Sequence, residues 1–340
     1  MLSIQNFSWK SVICNLHILV LVAYMLLTYF TPLNRRKPSS GILVNDVIID
    51  LNSAYQRILM DEGLSYDVAK RRSYKVMPRN IMTLISRGPI IIPLLRKIVE
   101  DLNRFIGVEG VSYKLSEVRF YAPVPKPGKL IGIGLNYRSH VEETGGKIPS
   151  EPIVFSKAIT SIIGPYDDII LPKISNQVDF EGELAVVIGA KCKYVSKGEA
   201  LNYVLGFMVA NDVTARDLEF AGGSLHFFRS KSLDTFCPMG PGILLKDYVD
   251  DWRKFRIKTI LNGTLMQNSL VDDMIFGVEY LISHLSQDMT LMPGDVILTG
   301  TPSGVGFRRN PPVFLRDGDV VEVCIDGIGR IINKVRKLNK

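Results

Sequence analysis

Acidic residues are missing from the first 45 positions of this 340-residue chain, and cysteine and histidine are scarce throughout, with four of each. The cysteines (Cys14, Cys192, Cys237 and Cys324) show neither metal-ligand nor framework spacing, which fits a reducing compartment. Cys237 reads as a buried structural thiol. The net charge is +7, but its lysines and arginines are dispersed: the densest clusters are Arg35-Arg36-Lys37, Lys70-Arg71-Arg72 and Arg308-Arg309. Without a basic stripe interleaved with aromatics, nucleic-acid binding is not indicated. A positive field instead suits attraction of a dianionic metabolite. Internal repeats and low-complexity tracts are absent. The glycine-rich stretch Thr-Gly-Thr-Pro-Ser-Gly-Val-Gly at 299–306 lacks the Gly-Lys-Ser/Thr ending of a phosphate loop.

With 46% hydrophobic residues, the chain can bury a large core and has room for two domains. Residues 1–37 read as a hydrophobic leader. Positions 18–30 are almost uninterruptedly apolar and are followed by Arg35-Arg36-Lys37. Extended back to residue 11, the run reaches the ~20 residues that a bilayer span requires. As an anchor it leaves the body of the protein on the cytoplasmic side, because the basic cluster follows it. A secretory signal fits poorly, since Lys10 is its only early charge and no small-residue cleavage site follows. An acid-free, basic leader also suits mitochondrial import.

Residues 38–122 read as a small N-terminal α/β domain: a strand over 45–51, a helix over 51–60 capped by Asn52 or Ser53, and helical spacing over 89–105. The proline- and glycine-rich stretch 123–128 is the linker candidate. Beyond it, short β-like runs occupy 130–133, 153–155, 184–188, 203–209, 243–245, 257–261, 296–299 and 320–325. One amphipathic helix is expected over 276–287. The fold class is therefore α+β and β-rich, not an alternating doubly wound sheet.

Glu181 and Glu183 lie one residue apart on an expected strand, so both side chains project from one face about 6–7 Å apart. Such a pair is most often a solvated face; like charges held together inside a protein call for a cation between them. Asp212, where the strand over 203–209 gives way to a loop, supplies a third carboxylate. An oxygen-only ligand set favours Mg²⁺, Mn²⁺ or Ca²⁺ over zinc. A second group lies in Gly-Leu-Asn-Tyr-Arg-Ser-His-Val-Glu-Glu-Thr-Gly-Gly at 134–146, which reads as a short helix on a mobile lid. His140 and Glu143 share a helical face there, and a carboxylate partner orients the ring and raises the basicity of its other nitrogen. His284 reads as packed against the core and His226 as a lid or rim residue.

Glu-Gly-Glu-Leu-Ala-Val-Val-Ile-Gly at 181–189, Asn-Asp-Val-Thr-Ala-Arg-Asp at 211–217 and Leu-Thr-Gly-Thr-Pro-Ser-Gly-Val-Gly at 298–306 together resemble the fumarylacetoacetate hydrolase family. The similarity runs from about residue 123 to the C-terminus. Asp-Thr-Phe-Cys-Pro-Met-Gly-Pro at 234–241 and Pro-Pro-Val-Phe-Leu at 311–315 resemble its domain-containing protein 2 subgroup. The resemblance implies a mixed β-roll or sandwich catalytic domain over 123–340, a homodimer and a mitochondrial setting. It implies a divalent-metal enzyme acting on small 2-oxo dicarboxylic acids through a stabilised enolate, with oxaloacetate keto–enol tautomerisation as the specific expectation. Hydrolytic C–C cleavage and oxaloacetate decarboxylation are the alternatives within the family; a catalytically weakened, membrane-tethered metal-binding protein is the alternative outside it. It further implies that His140 and Glu143 are an acid/base dyad, that Lys231 is a site lysine, and that Gly300 and Thr301 offer N–H and hydroxyl donors to a substrate carboxylate. Arg216 either contacts substrate or, the reading favoured here, buttresses a metal ligand or pairs with Asp217. Two departures stand out: Glu219 where the family commonly has glutamine, and Ser230 where it has glycine before the lysine. Gly182, where relatives carry a larger residue, suggests a looser strand.

Overall fold

The computed structural model describes residues 25–338. Its spine is a twelve-stranded sheet whose main path runs from Ser112–Lys114 at one edge to Ile153–Ser156 at the other. A five-stranded sheet, which includes Arg256–Leu261 and Val320–Ile325, packs on one face. The central strand Gly182–Ile188 explains the layering. Ala185 and Val187 join Met208, Ala210 and the buried faces of the N-terminal helices, whereas Leu184, Val186 and Ile188 join Ile257, Val323 and Ile325. A strand buried on both faces reads as a continuous apolar run, as this one does.

Most expected elements are present. The helix of the N-terminal part is Leu51–Asp61, but its cap is Asp50, whose carboxylate accepts from the Ser53 amide, rather than Asn52 or Ser53. Asn52 instead turns inward and donates to the Met77 carbonyl. The stretch expected to be helical over 89–105 is the helix Ile92–Glu100 flanked by two short 3-10 turns, Gly88–Ile91 and Leu102–Arg104. The later amphipathic helix is Val278–Leu285, and His284 is half-buried there, stacked on Tyr280.

Part of the segment expected as a leader is a strand of the fold: Leu26–Pro32 pairs with Cys237–Leu245 on one side and Ser39–Val44 on the other. Leu27 and Phe30 are fully buried. Leu26–Pro32 is largely apolar because it is buried inside the sheet, a pattern that hydropathy alone does not separate from a membrane segment. Residues 1–24 of the expected leader lie outside the described residues. Among the described residues, no helix is long and apolar enough to cross a membrane. The linker candidate at 123–128 joins Val118–Tyr121 to Leu130–Gly134. Packing is continuous around it, since Ala122, Val124 and Leu130 share one core cluster with the N-terminal helices.

Because Leu26–Pro32 joins the N-terminal strands to the catalytic sheet, removing residues 1–37 should leave a protein that is insoluble or melts far below the full chain. A circular-dichroism melt of the truncated and full-length proteins checks this; equal melting would show the strand to be dispensable.

Candidate metal centre

Antiparallel pairing of Gly182–Ile188 with Val204–Asn211 sets Glu183 opposite Ala210 and Gly182 opposite Asn211. One step further along that register, Glu181 meets Asp212, whose amide donates to the Glu181 carbonyl at 2.8 Å. Sheet register thus brings together residues 31 positions apart in sequence. Carboxylate oxygens of Glu181, Glu183 and Asp212 all lie within 4.8 Å of one another, and all three residues are buried. Gly182 points the other way, into the second sheet. A Cβ there would lie 2.3 Å from Thr259 Oγ1 and 2.9 Å from Val323 Cγ1, so the strand is closely packed and not loose as its sequence suggested.

Buried cations hold the cluster. Lys231 Nζ donates to Glu181 Oε2 (2.8 Å), Asp212 Oδ2 (2.8 Å) and Thr214 Oγ1 (2.7 Å), which commits all three ammonium protons. Arg216 donates to Glu181 Oε1 at 2.5 Å, to Asp179 Oδ2 at 3.0 Å and to Glu219 Oε2 at 2.9 Å. Arg216 is therefore the buttress of Glu181 rather than a free substrate-binding group, and Asp217 caps Ser175 and Asn176 instead of pairing with it. Glu219 is a counter-ion of Arg216, so its charge has a partner. Ser230 sits within the short helix Phe227–Lys231 with its hydroxyl on the Phe227 carbonyl, and it imposes no strained turn on Lys231.

Two site residues escaped the sequence reading. Lys157, just beyond the strand Ile153–Ser156, is buried and reaches Asp212 Oδ1 at 2.5 Å and the Phe236 carbonyl at 3.0 Å. Asp179 is fully buried; besides Arg216 it accepts the Phe180, Gly306 and Phe307 amides, tying the glycine-rich loop to the metal strand. A carboxylate directly before Phe180-Glu181 was the available signal for Asp179. Lys157 had none, since one lysine after a strand looks like a surface residue.

The glycine-rich loop is placed differently from expectation. The Gly300 amide donates to Glu183 Oε2 at 2.8 Å, while the Thr301 hydroxyl donates to the Gly182 carbonyl and accepts from Gln267. These groups position the metal strand, so the donors expected for a substrate carboxylate are already engaged. Gly300 adopts φ +96° and a Cβ would lie 2.9 Å from Asn136 Cβ, which explains the glycine.

His140 and Glu143 lie on the helix Arg138–Thr144, with His140 Nδ1 3.2 Å from Glu143 Oε2. Glu143 Oε1 accepts the Gly304 amide at 2.9 Å, while Ser139 binds Asp273 and Arg138 binds the Met274 carbonyl. The lid is thus anchored at both ends in this conformation. Its ring borders a cavity of about 260 Å³ whose lining also includes Glu181, Glu183, Asp212, Lys231, Phe155, Phe227, Phe307 and Arg308. His226 is exposed and does not line it.

Electrostatics split the glutamate pair. Burial favours the neutral form of both, but Lys231 and Arg216 outweigh it at Glu181 and hold that carboxyl to about 2. At Glu183, burial and the adjacent Asp212 and Glu181 charges act together and push the carboxyl well above its usual range. A divalent ion among these oxygens relieves the repulsion at Glu183. The donor set, buried and made only of carboxylate oxygens, fits a hard divalent cation.

The family model described as fumarylacetoacetate hydrolase C-terminal matches residues 129–336, and the chain belongs to this family of metal-dependent enzymes. It is similar to oxaloacetate tautomerase FAHD2B, mitochondrial, of Bos taurus, at 44% identity over 76% of this chain and 80% of that protein. Among solved structures it is similar to the fumarylacetoacetate hydrolase of Exiguobacterium antarcticum: TM-score 0.72, 32% identity, 92% of this chain and 100% of that one. It is likewise similar to 5-carboxymethyl-2-hydroxymuconate delta-isomerase from Mycobacterium smegmatis: TM-score 0.67, 32% identity, 93% of this chain and 100% of that one.

Glu183 has a raised pKa, so the proton it holds favours the folded metal-free protein at low pH. That contribution is present below the usual carboxylate pKa and is lost as pH rises through the raised value. Glu181 is opposite: its stabilisation is present above the usual carboxylate pKa and is lost as pH falls towards about 2. Mg²⁺ at one hundred times its Kd should add about 2.7 kcal/mol to folding stability, and at a fixed Mg²⁺ concentration the gain should grow as pH rises, because Glu183 must lose its proton to accept the ion. In Glu183→Gln, the loss of metal-free stability on raising pH and the Mg²⁺-induced rise in Tm should both shrink sharply. Thermal melts across pH, with and without Mg²⁺, measure both; an unchanged Mg²⁺ effect would remove Glu183 from the ligand set.

Proposed function

We propose that this protein is a Mg²⁺- or Mn²⁺-dependent oxaloacetate keto–enol tautomerase. The carrying observation is the buried Glu181–Glu183–Asp212 group beside a His140–Glu143 pair in one cavity, in a chain 44% identical to a protein named oxaloacetate tautomerase. Glu181, Glu183 and Asp212 would hold the ion, which when bound would supply a Lewis acid for the 2-oxo acid and its enolate. Glu143 keeps the proton of His140 on Nδ1, leaving Nε2 to take the proton of the enol hydroxyl and deliver a proton to the substrate carbon, or to run the same transfer from carbon to oxygen in reverse. Lys231 balances the negative charge of the ligands and lies next to where enolate charge develops. Arg216 and the Gly300 amide fix the ligand carboxylates, and Gly304 fixes Glu143, so both halves of the site are held before substrate arrives. Phe155, Phe227 and Phe307 give the cavity an apolar wall beside these groups.

Mitochondrial localisation is supported by the name of the bovine relative. A homodimer is the expectation from the family resemblance, and light scattering on the purified protein decides it.

Purified protein with Mg²⁺ should accelerate loss of the enol absorbance of oxaloacetate. Glu181→Ala/Glu183→Ala or excess EDTA should abolish the acceleration, and His140→Asn should lower kcat about 10²–10⁴-fold. Pyruvate appearing at the rate of enol loss would replace tautomerisation with decarboxylation.

A further inference from the structure

Lys231 and Arg216, the buried cations lining the cavity, are each bound to more than one carboxylate. Neither is free to meet the distal carboxylate of a dicarboxylic substrate. A third lining cation differs. Arg308 forms no ion pair among the described residues, and its Nη2 donates to a neutral acceptor, the Thr144 carbonyl at the end of the lid helix, at 3.1 Å. Its guanidinium lies over the Phe307 ring, 4.8 Å from the centroid, and Arg216 lies 4.1 Å from the same centroid. Phe307 is thus in contact both with a charge-saturated arginine, which grips Glu181, and with one that has no ion pair among the described residues. Phe307 itself is held by its amide to Asp179, so Arg308 projects from a turn fastened to the metal strand. Apolar residues supply most of the nearby wall: Leu135, Phe220, Leu225 and Phe307.

We propose that Arg308 binds the distal carboxylate of the substrate and so selects dicarboxylic over monocarboxylic 2-oxo acids. This rests on the 2-oxo acid reading above and adds the group that recognises the far end of the molecule. A guanidinium has five N–H donors in a fixed fork, so the Thr144 contact leaves an edge for a carboxylate. Because that contact reaches the lid helix carrying His140, Arg308 also links the distal carboxylate to the element that holds the base.

The test uses the full-length protein with Mg²⁺, enol-oxaloacetate and enol-phenylpyruvate as substrates, and calorimetric binding of 2-oxoglutarate and oxalate. Oxalate presents chelating oxygens but no distal group. Arg308→Gln should lower the kcat/KM ratio for enol-oxaloacetate over enol-phenylpyruvate about 10- to 100-fold, mostly through KM, and Arg308→Lys should recover part of it. The same Gln variant should weaken 2-oxoglutarate relative to oxalate. Equal losses on both members of each pair, no loss on either, or a wild type that binds neither anion overturns the assignment. If wild type binds 2-oxoglutarate but does not turn over enol-oxaloacetate, the tautomerase reading falls and the binding arm alone decides Arg308.

Discussion

The structure depends on the confinement of carboxylates in a buried site. Asp179, Glu181, Glu183, Asp212 and Glu219 are all buried, and the buried cations among them are Lys157, Arg216 and Lys231. Fully ionised, this set carries two negative charges in excess, the charge that one divalent ion neutralises. Uncompensated charge is costly in a low-dielectric interior. The arrangement therefore stores an affinity for a cation in the fold itself, and Glu183, which has no cation bonded to it among the described residues, is where that unbalance is felt.

Rigid scaffolding meets this electrostatic demand. Glu181 and Asp212 are cross-strand neighbours, Glu183 is clasped by a loop amide, and Gly182 lets Gln267 and Thr259 approach the strand from behind. Gln267 ties the two sheets and the glycine-rich loop together through Gly182, Thr259 and Thr301. The lid is fastened to the same loop through Glu143 and Gly304. The His140–Glu143 pair and the three-carboxylate group are thus referenced to one frame, as a site that must hold its groups in a fixed geometry requires.

Several details read as irregularities in sequence become ordinary once partners are visible. Glu219 does not introduce an unpaired charge, because the Arg216 fork has a free arm for it. Ser230 lies in a helical turn, where its hydroxyl bonds to a backbone carbonyl. The donors at Gly300 and Thr301 support the strand rather than a ligand, and a loop sequence cannot distinguish these uses because both need the same N–H and O–H groups. Leu26–Phe30 shares the composition of a membrane segment because it is a buried strand.

Local pattern was enough to assign the chain to a β-rich class, to put Glu181 and Glu183 on one strand face, and to pair His140 with Glu143, because strand alternation and helical spacing are short-range geometry. It could also nominate Asp212 and Lys231 through motif resemblance. Register decided the rest: that Asp212 sits across from Glu181, that Lys157 reaches Asp212 from 55 residues away, that Asp179 anchors Arg216 and the glycine loop, and that Arg308 faces the cavity. Those contacts depend on how strands pair and how sheets stack, and such long-range pairing leaves no periodic trace along the chain.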